Sequence, residues 1–136
     1  MCFWDFLSPS IILNIVDHLH FIKPIQHLNI DGSWYTDTLD IVNLEISNTG
    51  KDFVNLLLKK SIGLDSDFIK LSNDSIKPNS RIKVALYFPQ NVNDALISFK
   101  DGNSKKYLII YVTKQDGKWK FRRGLLNRDY VEIEQA

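Results

Sequence analysis

A single cysteine, Cys2, stands in the 136-residue chain, so no intramolecular disulfide can form and the stapled frameworks of small secreted domains are excluded. A reducing compartment follows, and the chain is expected to be cytoplasmic. Cys2 has no lipidation context: no apolar leader precedes it and glycine does not follow Met1. No run reaches the roughly 18–20 apolar residues that cross a bilayer. The longest, residues 6–16, is bounded by Asp5 and Asp17. There is no glycine-rich phosphate loop, no Gly-x-Ser-x-Gly, no internal repeat and no low-complexity linker.

Histidine is scarce too, with His18, His20 and His27 alone. Two helical metal ligands need to share a face, three or four positions apart, whereas residues two apart diverge by about 160° around a helix. Asp65, Asp67 and Asp74 gather near Phe68 without the glycine and closing glutamate of a calcium loop, which makes them solvated loop charges. No catalytic residue, metal site or cofactor is therefore expected, and the chain is read as a non-enzyme.

What is present is the composition of one soluble domain, 44% hydrophobic and 24% charged, enough to bury a core. The net charge of +1 hides an uneven distribution: residues 1–75 sum to −5 and residues 76–136 to +6. Interleaving of the halves in one fold would cancel part of that difference in space.

The chain opens on an apolar segment that contains Phe3, Trp4 and Phe6, and such a terminus is expected to be docked rather than frayed. Ser8 and Pro9 read as a helix cap and first turn. Beyond them Ile11, Ile12, Ile15, Val16, Leu19 and Ile22 fall on one arc of a helical wheel, with Leu13 and Phe21 interrupting the polar face, until Pro24 stops the helix. Residues 1–24 thus form an apolar lead-in and amphipathic helix, and residues 25–136 a β-rich body.

In that body Leu28 and Ile30 suggest a strand closed by Asp31-Gly32, with Trp34 and Tyr35 flanking the next. The alternation over residues 39–46 changes parity, as a β-bulge would require. Val54, Leu56 and Leu58 are in phase, residues 68–71 make a weaker strand, and residues 81–88 give the clearest alternation, ended by Pro89. Ala95, Ile97 and Phe99 lead through Asp101-Gly102-Asn103-Ser104 into residues 107–113. Asp116-Gly117 then turns into residues 118–122, Gly124 breaks that strand, and residues 130–133 add a last short one.

Leu44-x-Ile46-x-Asn48-x-Gly50, the Pro78-Asn79-Ser80 turn feeding an alternating strand, and Ile97-Ser98-Phe99-x-Asp101-Gly102 with Lys106-Tyr107 together resemble bacterial immunoglobulin-like domains of the cell-adhesion-related kind, over about residues 38–113. The resemblance implies a mainly β, antiparallel immunoglobulin-like sandwich, and a spacer, adhesion or protein-binding role with no shared catalytic residues.

Two surfaces are candidates for function. The first is the leading segment, where Phe3, Trp4, Phe6, Ile12, Ile15 and Leu19 would anchor a protein partner or a second copy, because large apolar groups dominate interface energy. The helix could equally cover its own sandwich. Its polar face lacks the lysine and arginine of membrane-surface helices, so a membrane is not an expected partner. A sheet edge is the other route to a partner. The second surface, for nucleic acid, is the basic C-terminal strand: Lys118, Lys120, Arg122, Arg123 and Arg128 around Trp119 and Phe121. Its simpler reading puts Trp119 and Phe121 in the core and Lys118, Lys120 and Arg122 in water.

Overall fold

In the computed structural model, residues 8–17, 22–36, 40–124 and 129–136 are described. The expectations for Phe3, Trp4, Phe6, His18, Leu19, His20 and Arg128 lie outside these residues. Among them one α-helix, one short 3-10 helix (Ser66–Phe68, between β3 and β4) and eleven strands follow in order: α1 Pro9–Asp17, β1 Leu28–Thr36, β2 Ile41–Asn48, β3 Val54–Ile62, β4 Ile69–Leu71, β5 Ser75–Ile76, β6 Arg81–Tyr87, β7 Asp94–Asp101, β8 Tyr107–Gln115, β9 Lys118–Arg123, β10 Val131–Glu132 and β11 Glu134–Gln135.

The strands make two sheets, ordered β11-β1-β2-β6-β4 and β10-β9-β8-β7-β3-β5. All pairings are antiparallel except β11 on β1. The period-two apolar pattern decides which side chains meet between the sheets. Val42, Leu44 and Ile46 of β2 and Ile82, Val84 and Leu86 of β6 face Val54 and Leu56 of β3, Ala95, Ile97 and Phe99 of β7, Leu108, Ile110 and Val112 of β8, and Trp119 and Phe121 of β9 in one buried cluster. Short polar turns hold the hairpins. Asp116 and Gly117 both take left-handed angles, φ 53° and 77°, the geometry that a two-residue loop between twisted strands needs.

Parity failed as a guide near Asp31 and Asp40. Asp31-Gly32 does not end a strand: β1 runs through it, and the register against β2 slips between Ile30 and Gly32. The parity change between Ile41 and Val42 is no bulge in β2, whose register against β6 is regular through both residues. Asp40 instead turns left-handed, φ 46°, and the strand starts after it.

The C-terminus ties the two sheets together. Val131 and Glu132 pair with β9, Glu134 and Gln135 pair with β1, and between them Ile133 is buried with its N–H donating to the Trp119 carbonyl at 2.9 Å. One strap thereby closes one side of the stacked sheets.

The helix packs against the outer face of the second sheet. Ile12 and Leu13 are buried with Leu96, Ile109 and Tyr111, and Ile22, Ile62 and Tyr107 pack around them. The buried stripe is therefore rotated from the expected arc. Leu13 lies inside it, while Ile11 is 48% exposed. A side chain at Gly124 would meet Ile109 and Leu13 at 3.1 and 3.2 Å, so its bare backbone gives Leu13 room. Ser8 accepts the Ile12 N–H at its carbonyl, 3.1 Å, and the Ile11 N–H at its hydroxyl, 3.4 Å, which supplies part of the expected cap. The described helix ends at Asp17. Pro24 bridges in parallel to Tyr107: the Ile25 N–H donates to the Tyr107 carbonyl and the Tyr107 N–H to the Lys23 carbonyl, both at 2.8 Å.

Candidate interaction surface

At one end of the stacked sheets the loops after β2 and β7 are fixed from within. Asn48 is 1% exposed. Its amide donates to the carbonyls of Asp52 and Ile76 at 2.8 and 2.9 Å, and its side-chain oxygen accepts the Gly50 N–H at 2.9 Å. Its backbone adds bonds to Ser80 and Asn79, the latter left-handed at φ 61°. The Asn-x-Gly and Pro-Asn-Ser turns, thirty residues apart in sequence, thus lock onto one another through Asn48.

Asp101 does the same for the next loop. Its carboxylate accepts the N–H groups of Asn55 and Asn103, both at 3.1 Å, and the Ser104 hydroxyl at 2.6 Å. Burial alone would raise its pKa, but the bonds from Ser104, Asn103 and Asn55 outweigh that and hold it below the ordinary aspartate value. Between the two loops lies an open cleft of about 790 Å³, lined in part by His27, Lys51, Phe53, Asn103, Ser104 and Lys106.

From this cleft β3 runs away along the margin of the second sheet. β5 covers it only at Val54 and Asn55, and the Leu56 N–H finds the Asp74 carbonyl at 2.7 Å. From Leu57 to Ile62 no strand lies on its outer side among the described residues. Phe53 is 52% exposed and Leu57 48%. Leu57 stands opposite Lys100, whose ammonium lies 5.8 Å from the Tyr107 ring centre. Lys51, Lys59, Lys60, Lys105 and Lys106 are exposed around this margin. Over residues 51–62 and 98–107 the sequence has six lysines against two carboxylates, Asp52 and the internally bonded Asp101. No local pattern marks this stripe, because its lysines come from the acidic and the basic half and only β3–β7 pairing unites them.

The expected sites are distributed otherwise. Ile12 is covered by the chain's own sheet and is no free anchor, and Ile15 is half-buried. On β9, Trp119 and Phe121 are buried as strand alternation requires. Lys118 is exposed and pairs with Glu132 at 3.7 Å. Lys120 lies 4.5 Å from the Tyr130 ring centre. Arg122, expected to face water, is 6% exposed and lies 5.9 Å from the same ring, so its aliphatic stem and charge are both occupied. Arg123 points to the opposite side and donates to the carbonyls of Ile25 and Leu28. Burial pushes it down to about 10. Lys118, Lys120 and Arg122 share one face of β9 beside Glu132 and Tyr130, and Arg123 lies on the other, against the carbonyls of Ile25 and Leu28.

Among the described residues, no group of three His, Cys, Asp or Glu side chains could hold a metal ion, and no helix is long and apolar enough to cross a membrane. Comparison with protein-family models, curated proteins and solved structures gives no match.

Proposed function

We propose that the chain is a non-enzymatic interaction module of immunoglobulin-like type that binds a partner protein through the margin of β3. The strand order supports the type: β1-β2-β6-β4 against β8-β7-β3 follows the A-B-E-D and G-F-C arrangement of such sandwiches. The β3 margin carries the binding role. It offers backbone groups that no strand covers among the described residues, next to two large exposed apolar side chains, and an extended partner segment can satisfy both at once. The helix contributes less to this reading, since Ile12 and Leu13 already have their partners.

The full chain carrying Phe53→Ser and Leu57→Ser together tests it. Both sites are exposed, so stability is expected to change by no more than about 0.5 kcal/mol. Affinity capture from native lysate is expected to lose a protein that the unaltered chain retains. Retention of the same proteins by both chains would remove the reading.

A further inference from the structure

We infer that the partner segment is acidic and extended, and that it joins the second sheet as an added strand beside β3, with its carboxylates over the lysines of that margin. The inference rests on the interaction reading above and specifies the chemistry of what binds.

Three observations carry it. The outer side of β3 from Leu57 onward has no strand beside it among the described residues. Leu57 and Phe53 supply apolar contact on one face of the sheet's end. Lysines line both ends of the margin: Lys59 and Lys60 follow Leu58 on β3, where the register against β7 slips, and Lys100, Lys105 and Lys106 come from β7 and the loop after it.

Lysines and a bulge on an edge strand are devices against edge-to-edge pairing of like chains. Two copies meeting through β3 would bring lysines against lysines, which costs free energy in the desolvated contact. The same charges favour a carboxylate-bearing strand, so one feature repels a second copy and selects an acidic partner. Phe53 is a single exposed aromatic beside aliphatic Leu57 and a row of backbone donors and acceptors, which fits a peptide better than a run of bases, because each successive stacked base needs its own aromatic platform.

The test uses the intact, isotope-labelled chain and a synthetic peptide of about seven residues, near the usual strand length, alternating valine and glutamate. Its valine and lysine counterpart, phosphatidylserine vesicles and a single-stranded oligonucleotide are compared with it. The acidic peptide is expected to shift the amide signals of Leu57, Leu58 and Lys59, and the lysine peptide to leave them in place. Lys59→Glu with Lys106→Glu, both at exposed sites, is expected to weaken the acidic peptide by at least about tenfold, as reversal of rim charges does in steered complexes, and to admit the lysine peptide. Equal binding of both peptides, stronger shifts of the same amides by vesicles or oligonucleotide, or dimerisation through β3 would overturn the inference. If the acidic peptide leaves β3 untouched while lysate capture still depends on Phe53 and Leu57, the partner's chemistry is wrong and the interaction reading stands. If that dependence is also absent, both fall.

Discussion

Asn48→Ala is expected to destabilise the fold by about 2–4 kcal/mol, because each buried polar group left without a partner costs roughly 1–3 kcal/mol. Alanine would strand the carbonyls of Ile76 and Asp52 and the N–H of Gly50, which the Asn48 side chain now satisfies. Asn48→Asp keeps the shape and reverses the chemistry. A carboxylate cannot donate to two carbonyls, and at 1% exposure it cannot turn to water. Its protonated form, with one hydroxyl to donate, is favoured in the folded state, so its folded pKa rises above the unfolded aspartate value. The folded state then holds more protons, and stability falls as pH rises from about 4 toward neutrality. Chemical denaturation at several pH values is expected to find the aspartate variant weaker than the alanine variant at neutral pH, with that gap narrowing in acid. A loss below about 0.5 kcal/mol for alanine would mean that the two turns hold without Asn48.

Trp119→Ala is expected to cost about 3–5 kcal/mol, the range for deleting a large buried aromatic. Trp119 is 1% exposed, its ring centre lies 4.4 Å from that of Phe88, and its carbonyl receives the Ile133 N–H of the closing strap. The cavity would thus open where the two sheets and the C-terminal strap meet. Trp119→Phe is expected to cost clearly less. It retains an aromatic against Phe88 and gives up no hydrogen bond among the described residues, where the indole N–H has no partner. Equilibrium unfolding of both variants, followed by circular dichroism, measures the difference. Equal losses would assign the Trp119 contribution to something other than ring volume.

Local rules carried much of the strand layout. Ile82, Val84 and Leu86 alternate with Arg81, Lys83 and Tyr87, and β6 follows that alternation with the apolar set inside. Asp116-Gly117 was legible because two left-handed residues are what the turn demands. Longer-range features were not. Gly32 reads as a stop because glycine is weak in strands, yet it sits where β1 slips register against β2, a decision made by the partner strand. The helical wheel could not tell which apolar residues would find a surface: Leu13 is buried and Ile11 is not, because Ile109 and Leu96 lie on one side of α1 only. Arg122 reads as a solvent cation, yet Tyr130, a short way on in the chain, packs against it, and the partners of Arg123, the carbonyls of Ile25 and Leu28, come from the far end of the sequence. The lysine margin was hidden for the same reason, since Leu57 and Lys100 become neighbours only through the β3–β7 ladder.

The proposed site requires that the outer side of β3 stay uncovered in the free chain, and amide hydrogen exchange at Leu57 and Leu58 reads that side directly. Backbone groups alternate in direction along a strand. The Leu56 N–H points outward to Asp74 and the Asn55 carbonyl inward to Gly102, which turns Leu57 toward β7 and Leu58 outward. Leu57 is expected to exchange slowly, with the core of the sheet. Leu58 is expected to exchange near the unprotected rate in the free chain and to become protected when the valine and glutamate peptide binds. Equal, slow exchange at both positions in the free chain would mean that the margin is already covered, and would contradict the proposed site.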